Sequence, residues 1–135
     1  MTFLVDANVL SEATRPEPEP KVLAWLARHE REIAVDPVIL GEIQYGILLL
    51  PVGKRRARLE RWFEEGIERI HCLPWEAATG LRWARLLAEL RAKGLAMPIK
   101  DSLIAATALV HEIPVVSRNR HDFEKAGVEI VDPFA

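Results

Sequence analysis

Four acidic side chains, Asp6, Glu42, Asp101 and Asp122, each border an apolar run. Phe3, Leu4 and Val5 precede Asp6, and Val38, Ile39 and Leu40 lie just before Glu42. Leu103 to Ala106 follow Asp101, while Val115 and Val116 lead through Ser117, Arg118, Asn119, Arg120 and His121 to Asp122. Carboxylates beside core segments are drawn inward, where several together repel and raise one another's pKa unless a cation resolves the conflict. Oxygen donors of this kind suit Mg2+, with Mn2+ as a substitute, rather than zinc. The chain offers no Cys/His set at zinc spacing: His111 and His121 are isolated, and His29 and the single Cys72 have no evident partner. A hard cation held by acids polarises a phosphoryl oxygen and makes hydroxide available near neutral pH, so phosphodiester hydrolysis is the natural reaction class, with one ion or two.

The elements that must bring these acids together follow from periodicity. Residues 2 to 5 form a short β-prone run, and Asn8 is expected to cap a short helix through Val9, Leu10 and Glu12. The alternating prolines Pro16, Pro18 and Pro20 make the next stretch a loop. Val22, Leu23, Trp25, Leu26 and His29 recur at helical spacing, and Ile33 to Val35 is a second strand. Asp36 as N-cap with Pro37 behind it opens a helix whose stripe of Ile39, Ile43, Ile47 and Leu50 sets Glu42 near the buried face, with Gly46 free for close backbone approach. Leu59, Trp62, Phe63, Ile67 and Ile70 mark an amphipathic helix. Ile70 to Leu73 is a third strand, and Trp83, Leu86, Leu87 and Leu90 a helix that Gly94 ends. Asp101 and Ser102 stand where a further helix begins, apolar on nearly every side up to Val110 and therefore central, with Asp101 well suited as its N-cap. Pro114 to Val116 and Val128 to Val131 complete the strands, with a helical turn around Phe123 to Ala126 between them. Strands alternating with helices predict an α/β fold, a parallel sheet of about five strands with helices on both faces, in one domain over residues 1–135.

In such a sheet, ligands bind beyond the carboxyl ends of the strands, where strand order reverses. Asp6 lies just past the first strand, Asn119 and Asp122 just past the fourth, and Glu42 and Asp101 arrive on helices. At 135 residues, half of them hydrophobic and 28% charged, the chain has the make-up of an ordinary folded domain. A formal charge of -2 argues against a generally basic nucleic-acid coat, so a phosphate backbone would have to meet a local basic patch or a bound cation. No apolar stretch approaches the roughly 20 residues of a membrane span, and no basic-then-apolar leader precedes Asp6, so a cytoplasmic location is expected.

Four segments carry a resemblance to the PIN-domain ribonucleases, in particular to the VapC-type toxins of VapBC toxin-antitoxin pairs. They are Leu4-Val5-Asp6-Ala7-Asn8-Val9-Leu10-Ser11-Glu12, Gly41-Glu42-Ile43-Gln44-Tyr45-Gly46-Ile47, Asp101-Ser102-Leu103-Ile104-Ala105-Ala106-Thr107-Ala108, and Ser117-Arg118-Asn119-Arg120-His121-Asp122-Phe123. They run in the family's order across nearly the whole chain. The resemblance implies a PIN-like three-layer fold, Mg2+-dependent endonucleolytic cleavage of RNA, a homodimeric toxin, and neutralisation by a small cognate antitoxin that inserts a peptide near the site. It also implies that Asp6, Glu42 and Asp101 are metal-binding acids, that Asp122 is a more variable fourth, and that Asn119 and Asn8 support them. Ser117 stands where threonine is frequent and keeps the hydroxyl. Ile39 stands where a hydroxyl residue often precedes the glutamate, which removes a helper hydrogen bond without touching a ligand.

Plainer readings stand beside these. Asp6 and Asp101 could be caps only, Glu42 an exposed helix residue, and Asp122 the start of a short helix. The basic run Lys54, Arg55, Arg56, Arg58 and Arg61 reads as a solvated helix face, whereas Arg118 and Arg120 are better placed to meet phosphate or antitoxin. Trp62, Phe63 and Leu48 to Leu50 read as core or dimer interface. Two other functions compete. A haloacid-dehalogenase-like or receiver-like aspartyl phosphate protein would need a second acid where Asn8 stands or an acid pair near the first strand, and a catalytically inactive PIN-fold binding module would ignore metal.

Overall fold

The computed structural model describes all residues, 1–135. Five short strands, β1 (Phe3–Val5), β2 (Ile33–Val35), β3 (His71–Cys72), β4 (Val115–Val116) and β5 (Ile130–Val131), form one sheet in the order β3-β2-β1-β4-β5. Every pairing is parallel, with Leu4 opposite both Ala34 and Val115 and Val116 opposite Val131. The central strands are fully buried, as continuous apolar runs in a parallel sheet require. Strand order runs one way from β1 to β3 and the other way from β4 to β5, so the reversal falls between β1 and β4. The crevice beyond their carboxyl ends is therefore where Asp6 and Ser117 emerge.

Helices α1 (Ala7–Leu10) and α2 (Pro20–Arg28) connect β1 to β2, α3 (Pro37–Leu48) and α4 (Lys54–Glu65) connect β2 to β3, α5 (Ala77–Ala92) and α6 (Ile99–His111) connect β3 to β4, and α7 (Arg120–Glu124) connects β4 to β5. Right-handed crossovers assign α1 to α4 to one face and α5 to α7 to the other. The packing follows: α1 meets α3 and α3 meets α4, α6 lies along α5 and touches α7, and the two layers meet where α3 contacts α6. The expected five-stranded parallel α/β fold is thus present. A single cluster of 24 buried apolar residues joins both faces through the sheet, and it takes in Ile39, Ile43 and Ile47 of α3 and Ile104, Ala105 and Ala108 of α6.

Local chemistry explains most boundaries. Asp36 caps α3, accepting from Ile39 N at 2.9 Å, with Pro37 as the first helical residue. The fully buried second oxygen of Asp36 accepts from Thr107 Oγ1 at 2.7 Å, which ties α3 to α6. α5 ends at Lys93, and Gly94 takes φ 67° while Leu95 N returns to Leu90 O at 2.9 Å and Gly94 N to Arg91 O at 3.1 Å. That pair of bonds needs a left-handed residue after the cap. An alanine Cβ at Gly94 would meet nothing, so Gly94→Ala should cost only the backbone strain, about 1 kcal/mol, read as a lowered urea midpoint with unchanged slope. An unchanged midpoint would contradict this.

Three expectations are corrected here. α1 is capped by Asp6, whose Oδ1 accepts from Ala7 N at 2.8 Å, so Asn8 lies inside the helix and turns its amide to other work. α6 starts two residues before Asp101, with Pro98 at the N-cap, because proline favours the extended backbone of a cap position and cannot continue a helix from before it. Gly46 makes no close contact within the chain and instead opens onto a groove. Two further residues have partners that spacing did not show. Glu12 is buried and holds the proline loop closed, accepting from Glu19 N at 2.8 Å and from Arg15 Nη1 at 3.4 Å. His29 does have a partner, Glu32, at 2.8 Å, and packs against Trp25 and Phe3.

Candidate functional site

The site is built where β1 and β4 end side by side. Asp6 N donates to Val116 O at 2.9 Å, so the chain leaving β1 is pinned to the chain leaving β4. Asp6 is 3% exposed, and both its oxygens are engaged: Oδ1 by Ala7 N, and Oδ2 by Ser117 Oγ at 2.7 Å and Asn8 Nδ2 at 3.3 Å. Asn8 closes the frame, since its Nδ2 also reaches Ser117 Oγ at 3.4 Å and its Oδ1 accepts from Arg118 N at 3.2 Å. Burial nevertheless raises the Asp6 pKa; the Ser117 hydroxyl opposes that, and the Glu42 carboxylate adds to it. A carboxylate this well fixed is oriented for coordination and poorly placed as a free nucleophile.

Asp101 comes from the first turn of α6 and is 2% exposed. The helix dipole favours an acid there, yet its pKa is raised to about 6, chiefly by burial and next by Asp6, with Asp122 and Glu42 also raising it and Lys100 opposing. Desolvation and like charge together outweigh the dipole. Asp6, Glu42 and Asp122 thus all lie within electrostatic reach of Asp101. Ser102 does not cap the helix; its Oγ donates to Ile99 O at 2.6 Å and accepts from Trp83 Nε1 at 3.0 Å, which anchors the turn carrying Asp101 to α5.

Glu42 sits on α3 with its side chain 27% exposed and forms an ion pair with Lys100 Nζ. Lys100, whose ammonium also lies within electrostatic reach of Asp101 and Asp6, is raised in pKa first by that hydrogen bond. Spacing gave no sign of this residue, because its partner lies 58 positions away. Asp122, in α7, is partly exposed and pairs with Lys125 at 3.5 Å. Asn119 precedes α7 and makes no side-chain capping bond; its backbone N donates to Ser117 Oγ at 3.0 Å. Arg118 and Arg120 are both engaged: the Arg118 guanidinium lies over the Phe134 ring at 4.4 Å, and Arg120 pairs with Glu124 at 3.0 Å. The basic run of α4 is a solvated face except at Arg56, paired with Glu60, and Arg55, which lines a groove with Glu42, Asn8, Ile43, Leu50 and Trp62. Phe63 is core, while Leu48 and Leu49 are exposed.

Whether these residues fit a cation can be tested on their unpaired atoms. Asp101 Oδ1 and Glu42 Oε1 are buried without any hydrogen-bond partner. Buried carboxylate oxygens are costly to leave unpaired, and a divalent ion satisfies both. No three acidic, histidine or cysteine side chains are already drawn in around a common point; Glu42 is held by Lys100 instead.

Comparison with known proteins places this geometry in context. Residues 3–129 match the PIN domain family. The chain is 37% identical to the plasmid stability protein StbB of Pseudomonas syringae pv. tomato, covering 98% of both chains. It is 31% identical to VapC ribonuclease Y4jK of Sinorhizobium fredii over 98% of this chain and 97% of that one. Among solved structures, FitAcB from Neisseria gonorrhoeae superposes with a TM-score of 0.92 at 28% identity, covering 98% of this chain and 99% of that chain. VapBC-5 of Mycobacterium tuberculosis, from the VapBC family of toxin-antitoxin systems, superposes with a TM-score of 0.70 at 26% identity over 97% and 98%.

Proposed function

The chain belongs to the PIN-domain family, and from that premise we propose that it is a metal-dependent endoribonuclease, the toxin of a toxin-antitoxin pair, in which Asp6, Glu42, Asp101 and Asp122 hold Mg2+, or Mn2+ in its place. One observation carries the metal reading: Asp6 and Asp101, from segments remote in sequence, are buried within electrostatic reach of each other, and Asp101 keeps an oxygen without a partner. Kinship with a protein named as a VapC ribonuclease supports RNA as the substrate, and kinship with a member of a toxin-antitoxin family supports an antitoxin as partner. No helix is long and apolar enough to cross a membrane, which suits a cytoplasmic site of action.

An ion in this site supplies polarisation of a phosphoryl oxygen and a more acidic water. The protein's part is orientation. Ser117, Asn8 and Ala7 N fix the Asp6 carboxylate, the Trp83–Ser102 anchor fixes the turn that presents Asp101, and Asn119 braces Ser117 from behind through its backbone N–H. Preorganised ligands of this kind spend little free energy on rearrangement when charge develops. Exposed Tyr45, Leu48, Leu49 and Val52 at the end of α3 give a homodimer an apolar surface to bury.

The test is purified protein free of antitoxin, incubated with structured and single-stranded RNA in Mg2+, Mn2+ or EDTA. Cuts that need metal and vanish in Asp6→Asn support the reading. Equal cleavage by that variant would assign the activity to a contaminant and overturn it.

A further inference from the structure

Lys100 is bonded to the candidate metal ligand Glu42, as Lys125 is to Asp122, but Lys100 alone also lies within electrostatic reach of Asp101 and Asp6, and neither spacing nor family resemblance pointed to it. Its Nζ pairs with Glu42 Oε2, and Glu42 Oε1 is left buried and unpaired. The same ammonium lies within electrostatic reach of Asp101 and Asp6. Lys100 directly precedes Asp101 in the first turn of α6, so its backbone is anchored with that turn while its stem, 47% exposed, has solvent to swing into. A lysine tied at its root and free along its stem has two places to put its charge: on Glu42, or out at the rim.

We propose that Lys100 is an internal counter-ion that competes with the divalent cation for Glu42: it neutralises the cluster in the metal-free protein and must release Glu42 when metal binds. An ammonium and a divalent ion on the two oxygens of one carboxylate repel each other, so each weakens the other's hold. While Lys100 holds Oε2, Glu42 has only Oε1 to offer a cation, and the ammonium charge beside it weakens that donor. Lys100 therefore sets the metal concentration at which the site loads. This is a positioning role, and it rests on the metal-site reading above.

The experiment titrates Mn2+ into metal-free wild type, Lys100→Gln and Arg118→Gln by calorimetry, with thermal unfolding of each followed in EDTA and in excess Mn2+. Arg118→Gln removes the same charge from the same rim without touching Glu42 and controls for the general field. The inference predicts Mn2+ binding about tenfold tighter in Lys100→Gln, the change that removing a direct competitor would bring, and less than about twofold tighter in Arg118→Gln. It also predicts a lower melting temperature for Lys100→Gln in EDTA, where the acids lose their counter-ion, and recovery in Mn2+. Equal tightening in both variants, or unchanged or weaker binding in Lys100→Gln, would overturn the competition while leaving the metal site standing. No Mn2+ binding by wild type or either variant would overturn both.

Discussion

Asp101→Asn should make the metal-free protein more stable at pH above 7 while abolishing its cleavage of RNA. In the unfolded chain this carboxyl titrates at its ordinary value of 3.8; folded, it titrates at about 6. Between those values the folded state binds the extra proton, so stability falls as pH rises through the window, and above it the ionised group weighs fully against folding. Two pKa units correspond to about 3 kcal/mol. Part of that shift comes from the charge of Asp6, which is itself raised in pKa by burial, so relief of about 1 to 2 kcal/mol is expected from the single change. The gain should shrink near pH 5 and disappear below about 4, where both states are protonated. Saturating Mg2+ should reverse the ranking: a ligand at a hundredfold excess over its Kd adds about 2.7 kcal/mol to a protein that binds it, and the variant has lost an acid that binds it. Urea unfolding in EDTA and in Mg2+, at two pH values, reads all of this. A variant less stable than wild type in EDTA above neutral pH would show that Asp101 is a structural acid rather than a strained ligand.

Phe123→Ala is the second large effect. Phe123 is 0% exposed, stands first among the fully buried side chains by volume, and is the only buried residue of α7. A five-residue helix cannot hold itself in water, so α7 exists because this ring is seated in the core. Truncation should cost about 3 to 5 kcal/mol, a large share of the about 5 to 15 kcal/mol that holds a domain together. Asp122 lies beside the ring in α7 and Asn119 at the helix's N-cap, so cleavage should fall together with stability. Rescue of activity at low temperature, with the urea midpoint still reduced, would separate seating from chemistry. A loss below about 1 kcal/mol would mean that α7 is held by something else.

The frame of the molecule was legible because it rests on local signals. Alternation of β-prone and helix-periodic runs gave the five strands, Asp36-Pro37 marked the start of α3, and Gly94 marked the end of α5. The four acids drew attention because each lies near an apolar run, although the plainer readings of Glu42 as an exposed helix residue and Asp122 as a helix start stood beside it. What spacing could not show was which end of a side chain is already occupied. Asp6 is both helix cap and buried acid, a combination that the cap-competent Asn8 obscured. The start of α6 is hidden in the sequence because Asp101-Ser102 looks like a cap, while the N-cap is Pro98, three positions before Asp101. Arg118 and Arg120 looked free in one dimension and are engaged in three, one against Phe134, which lies near the end of the chain, and one along its own helix with Glu124. Lys100 is the same failure reversed: an unremarkable basic residue in sequence becomes the partner of Glu42 only when α3 and α6 are brought together.

The central claim, that remote acids converge to hold a hard divalent cation, is met most directly by titrating Mn2+ into metal-free wild type and Asp6→Asn in the same buffer near neutral pH. The account predicts one saturable binding process in wild type that weakens at least about tenfold in Asp6→Asn, with the folded structure of the variant intact by circular dichroism. Binding of equal strength in the two proteins, or no binding in wild type, would contradict it.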